Sequence, residues 1–119
     1  LRVSRLGKNI GSRFAKRYYD SMALGVNIIA ADYVAQGDWV RGFAFDYSLP
    51  VGEFAPIEQP IEGLVLDIDT AVEIASKVMT IRQGDLIVVD RDIAARALLP
   101  EEVIREEKDG KEVLYCKIK

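Results

Sequence analysis

Leu24-Gly25-Val26-Asn27-Ile28-Ile29-Ala30-Ala31-Asp32-Tyr33 is the most apolar run of the chain, and Asn27 is the one uncharged polar side chain within it. Gly25 and the β-branched Val26, Ile28 and Ile29 favour an extended backbone, and an apolar run this short predicts a buried strand of a covered sheet. Asn27 then needs a partner, because a buried amide left unpaired costs about 1–3 kcal/mol. It is either a core amide satisfied by its neighbours, the ordinary case for buried polar groups, or part of a site.

Working outward toward the N-terminus, Phe14, Tyr18 and Met22 recur at four-residue spacing behind Ser12, which predicts a capped helix packed on the sheet and ended by Gly25. Arg13, Lys16 and Arg17 fall on its other side and read as a solvated face. Leu1 to Leu6 alternates weakly and reads as a strand already under way, which suggests an upstream piece. Toward the C-terminus, Gln36 to Gly52 loses its period while Trp39, Phe43, Phe45 and Tyr47 are punctuated by Gly, Asp and Pro. It reads as a long connection packed by its own aromatics, or as a pocket wall or lid.

Glu53 to Ile57 and Leu64 to Ile68 read as two further strands. Asp69 or Thr70 caps a helix in which Thr70 and Glu73 have capping-box spacing and Val72, Ala75, Val78 and Met79 face the core. Thr80 to Gly84 connects it to a buried strand at Leu86 to Val89, and Asp92 can cap a brief helix through Ala94, Ala95 and Leu98 that Pro100 stops. Asp109-Gly110 between the alternating segments Val103–Glu107 and Glu112–Ile118 is a hairpin signal, with Cys116 on the core face.

Composition narrows the class. With 119 residues, half of them hydrophobic and 29% charged, a single globular domain over 1–119 is the default. A formal net charge of -3 gives no general basic field, so neither nucleic acid nor an anionic membrane is the first partner expected. One cysteine allows no internal disulfide, and a reducing cytoplasm fits best. The chain has no histidine, which excludes Ser-His and Cys-His catalysis within it and limits any metal site to oxygen ligands, hence Mg²⁺, Ca²⁺ or Mn²⁺.

The order of the pieces resembles the fumarylacetoacetate hydrolase family. The likeness runs through Arg5-Leu6-Gly7-Lys8-Asn9-Ile10, Arg13-Phe14-Ala15, Arg17-Tyr18-Tyr19-Asp20 and Leu24-Gly25-Val26. It continues in Asp46 to Phe54 and is most specific at Pro50-Val51-Gly52-Glu53-Phe54 and Thr80 to Ile87. The resemblance implies a mixed β, α+β architecture: a β-roll, mostly strands with two or three short helices, in a homodimer. It also implies a Mg²⁺ or Mn²⁺ ion held by carboxylates that grips a small β-dicarbonyl acid for carbon–carbon hydrolysis, decarboxylation or isomerisation through a stabilised enolate.

The matched positions depart from that chemistry. The family's Glu-x-Glu ligand pair lies upstream of the segment matched by Leu1 to Leu6, and its third ligand, an Asp, matches Asn27. The family's Arg matches Ala31, while the following Asp is kept as Asp32 beside the metal position. Its substrate-side Lys falls on Phe43, leaving Arg41 as the nearby cation, and its Thr-Gly-Thr-Pro turn matches Val89-Asp90-Arg91-Asp92. Arg41 and Asp46 are therefore the candidate catalytic residues, Phe43 and Arg91 the candidate substrate contacts, and Asn27 with Asp32 the candidate metal position. These departures lead to an expectation of a catalytically impaired relative that binds a small molecule or a partner, with any cofactor lost. The alternatives are an active metal-dependent enzyme and a structural subunit of an active paralogue.

Overall fold

The computed structural model describes residues 1–57, 61–92, 96–108 and 110–118. It is a small mixed α/β protein with two antiparallel sheets and a few short helices. In chain order the elements are β1 (Arg2–Val3), a 3₁₀ helix (Ser12–Arg17), β2 (Tyr19–Met22), α1 (Ala31–Ala35) and α2 (Trp39–Phe43). They continue with β3 (Ala55–Pro56), α3 (Ile68–Val78), β4 (Val103–Lys108) and β5 (Lys111–Lys117). Two compact units share them: Leu1–Met22 with Phe54–Ala97, and Ala23–Glu53 with Leu98–Lys119.

In the first unit β2 lies between β1 and β3, all antiparallel, with Arg2 opposite Ser21 and Ser21 opposite Pro56. Pro56 has no N–H to donate, and its strand is accordingly at the edge. Val3, Ile10, Ala15, Val72 and Ile81 form the buried cluster, with Leu1, Tyr18, Tyr19, Ala75 and Ile87 packed around it. The helix α3 begins at Asp67, whose carboxylate accepts the Thr70 N–H at 3.2 Å. It buries Ile68, Ala71, Val72 and Ser76. Its Ser76 Oγ accepts the Ile10 N–H at 2.9 Å and its Glu73 carboxylate accepts the Ser12 N–H at 2.8 Å, so side chains of α3 satisfy the backbone of the 9–12 connection.

Several sequence expectations change here. The cap of α3 is Asp67 rather than Asp69 or Thr70, and Glu73 reaches Ser12 instead of closing a capping box. Val78 and Met79 are exposed, because the apolar stripe ends one turn earlier. The segment at Ser12 is a 3₁₀ helix capped by Gly11, and Phe14, Tyr18 and Met22 do not form one helical face because Tyr19–Met22 enters the sheet between two partners. Regular pairing in Glu53–Ile57 is confined to Ala55–Pro56. Leu64 makes only a bridge to Arg91, and the 64–68 stretch ends in the α3 cap.

Leu86 to Val89 follows Leu1–Val3 through the Arg2–Leu86 bridge and the Ile87 N–H to Leu1 carbonyl bond. It is not a buried run, since Leu86 and Val88 point outward. The turn that feeds it places Gly84 at φ +92, with the Asp85 N–H bonded to the Arg82 carbonyl, a turn whose third residue needs left-handed backbone. The brief helix expected after Asp92 runs into residues 93–95, outside the described residues.

In the second unit β4 and β5 form the expected hairpin, with Lys108 opposite Lys111 and Cys116 buried beside Leu114. Gly52 lies against β5: the Glu53 N–H donates to the Val113 carbonyl, and a Cβ on Gly52 would overlap that carbonyl. Leu24 to Ala30 is extended and pairs with 48–52 through Gly52 N–H to Leu24, Val26 N–H to Pro50 and Ile28 N–H to Ser48. It is not the covered strand expected, and Ala31 to Tyr33 are helical. Paired along one edge only, it alternates: Val26 and Ile28 are half-buried, while Asn27 and Ile29 are exposed. The aromatic stretch read as an irregular connection contains α2, whose cap is the Asp38 side chain.

Candidate functional site

The helices α1 and α2 are short, and each rests on the other. The Ala30 N–H donates to the Gly42 carbonyl at 2.9 Å and the Asp38 N–H to the Tyr33 carbonyl at 2.9 Å, while Gly42 is buried against Val34. Asp38 accepts the Arg41 backbone N–H at 3.1 Å through one carboxylate oxygen and forms an ion pair with the Arg41 Nε, 3.4 Å away, through the other. The Arg41 guanidinium also lies 5.6 Å from the Tyr33 ring centroid. Trp39 and Phe43, one turn apart on α2, stack with centroids 5.5 Å apart.

Between these helices lies an open concavity of about 310 Å³ lined by Ala30, Tyr33, Val40, Arg41, Ala44 and Phe45. Its floor is apolar and its one charged group is Arg41. The volume is at the small end for ligand sites, near 300 Å³ at the lower bound. The Arg41–Asp38 pair is exposed and of the kind worth at most about 1 kcal/mol, so an anion can displace Asp38 at small cost. A guanidinium stays protonated and offers a bidentate fork, so Arg41 can orient a carboxylate but cannot serve as a base.

Of the residues singled out from sequence, Arg41 lines this concavity. Phe43 lies on α2 next to it, stacked on Trp39 and not on the lining. Asp46 follows Phe45 in an exposed turn where Tyr47 has φ +65. Asn27 is exposed three residues before Ala30, and Asp32 is exposed in the first turn of α1. Arg91 belongs to the first unit, where it bridges Leu64.

Tyr33 was not read as a site residue, whereas Val40, Ala44 and Phe45 fall in the stretch read alternatively as a pocket wall or lid. The signal for them is Asp38 followed by aromatics four apart, which marks a capped turn of helix inside the aromatic stretch. A hard divalent ion takes six or so oxygens, mostly carboxylate. The neutral Asn27 amide and the single Asp32 carboxylate do not supply that set, and among the described residues no three carboxylate or thiol side chains gather to hold a metal ion. No helix among the described residues is long and apolar enough to cross a membrane. No protein-family model matches the chain, and no curated protein or solved structure is similar to it at a significant level.

Proposed function

We propose that this chain is a divergent, catalytically silent relative of the fumarylacetoacetate hydrolases that binds a small apolar carboxylic acid, of the β-dicarbonyl class, on the Tyr33–Arg41–Phe45 concavity. The observation that carries this reading is an apolar hollow with one guanidinium on it and a neutral amide, Asn27, where the resembling family has a carboxylate. A carboxylate would meet Arg41 bidentately in place of Asp38, and the acyl chain would cover Val40 and Phe45. The hollow is lined by no carboxylate, and the Arg41 guanidinium cannot act as a base, so the ligand is held and not turned over.

Calorimetry on the full, metal-stripped chain tests both halves. An acylpyruvate is expected to bind with Kd of about 1 mM, near 4 kcal/mol of binding free energy, and to be lost in Arg41→Ala. Mn²⁺ is expected to give no heat with the parent chain. Mn²⁺ binding in the micromolar to millimolar range of carboxylate sites, or acylpyruvate binding indifferent to Arg41→Ala, overturns the proposal.

A further inference from the structure

Twelve of the sixteen Lys and Arg side chains fall into two groups. Arg2, Arg41, Lys77, Arg105, Lys111 and Lys117 each hold a carboxylate within 4.0 Å. Among the described residues Arg5, Lys8, Arg13, Lys16, Arg17 and Arg82 hold none, and all six are exposed. All six belong to the first unit. Five come from the first 17 residues, a stretch with no acidic side chain in a chain of net charge -3. The sixth is brought to them by the antiparallel exchange of backbone bonds between Gly7 and Ile81, which sets Arg82 opposite Leu6.

The carboxylates that touch this segment are already engaged. Glu73 takes the Ser12 N–H and Lys77, Asp20 takes Arg2 and the Ser21 hydroxyl, Asp69 takes the Tyr19 hydroxyl, and Asp85 takes the Arg82 backbone N–H. An acidic chain whose unpaired cations, among the described residues, all belong to one unit presents a local positive field that its net charge conceals. On the 3₁₀ helix the Arg13 and Arg17 guanidiniums lie 4.5 and 5.1 Å from the centroid of the half-exposed Phe14 ring.

We infer that Arg5, Lys8, Arg13, Lys16, Arg17 and Arg82, with Phe14, form a face that binds single-stranded nucleic acid. Five of the six are spread over thirteen residues of chain from Arg5 to Arg17, so a linear polyanion suits them better than one phosphate. Guanidinium planes and a neighbouring aromatic ring are groups on which unpaired bases stack. A lipid surface fits less well, because Val3, Ile10 and Ala15 are turned into the core and only Leu6 and Phe14 face outward. These residues are not those of the concavity on α1 and α2, and neither inference depends on the other.

The test is fluorescence anisotropy of labelled dT20 and U20 titrated with the full chain at several KCl concentrations. Binding in the micromolar range at 50 mM KCl is expected, and three or more phosphates give a log–log salt slope of about −2 or steeper, at −0.7 per phosphate. Combining Arg13→Gln, Lys16→Gln and Arg17→Gln should weaken binding at least about tenfold and flatten the slope. Phe14→Leu should weaken it about fivefold with the slope unchanged, since stacking carries no counterions.

Arg105→Gln, which removes a paired cation from β4, should change neither. If the triple variant loses its native circular dichroism, Arg5→Gln with Lys8→Gln replaces it, with the same expectation. No anisotropy change at 50 mM KCl overturns the inference. So does equal weakening by Arg105→Gln, or tighter binding to vesicles of mixed phosphatidylcholine and phosphatidylserine than to either oligonucleotide.

Discussion

In the first unit an eleven-residue helix turns Ile68, Ala71, Val72 and Ser76 into a core closed by Val3, Ile10, Ala15 and Ile81. In the second, two five-residue helices carry comparable apolar content, yet Trp39 is 64% exposed and Val40 73%. The difference lies in length and period. Three turns of helix can hold an apolar stripe against several elements at once, whereas one turn has nearly all its backbone groups at its ends and fixes only its nearest neighbour. Apolar content therefore makes a core only where a long periodic element gathers it. Elsewhere it makes an adhesive surface, which is where the concavity lies.

Two sets of substitutions bear on that contrast. Ile81→Ala removes the largest fully buried side chain of the first unit and should cost about 2–5 kcal/mol in urea unfolding, against less than about 1 kcal/mol for Trp39→Ala, whose ring mainly stacks on Phe43. Equal losses would mean that the aromatic stretch is itself a core, and the contrast would collapse. Ser76→Ala should cost about 1–3 kcal/mol, because it strands the buried Ile10 N–H while barely changing volume. A loss below about 0.5 kcal/mol would show that packing alone, without the side-chain bonds of α3, holds the 9–12 connection.

The elements legible in the sequence were those whose signal is local. Asp109-Gly110 between alternating segments located the hairpin, and its alternation put Cys116 inside. The helix at 68–78 was legible from its period, and its start shifted because Asp67, Asp69 and Thr70 are all good caps and only tertiary packing selects among them. Ile81 was read as part of a connection, since one apolar residue between Thr80 and Arg82 has no period to reveal that it closes the core.

Asn27 was read as buried from the hydrophobicity of its neighbours. Exposure followed instead from a long-range fact, that its segment pairs along one edge only. At the candidate site Arg41 was legible as the one cation in the aromatic stretch. Phe45 was legible only as one of the aromatics of the stretch read alternatively as a pocket wall, and Tyr33 was not, because their meeting depends on two turns of helix that hydrophobic periodicity does not report.

The smallest expected effect concerns how α3 grips the 3₁₀ helix, and it is a matter of pH. The Glu73 carboxylate is held below the ordinary glutamate pKa of 4.5, first by the Ser12 N–H it accepts and then by Lys77. A folded-state pKa below the unfolded one means that the folded chain binds the proton less readily. The contribution is therefore complete above the unfolded pKa and is lost as pH falls through the lower, folded one. Glu73 is well solvated, so the contribution is modest and salt-sensitive. Urea midpoints for the parent and Glu73→Gln should differ most near pH 7 and converge below pH 4.5. Glu73→Gln keeps an oxygen for the Ser12 N–H but loses the charge, so the gap measures the charge and not the contact. A gap that persists unchanged at pH 3 would assign the effect to packing of the glutamine. The Glu73 charge would then add nothing measurable to the grip between α3 and the 3₁₀ helix, which would rest on the packing of Ala15 with Val72.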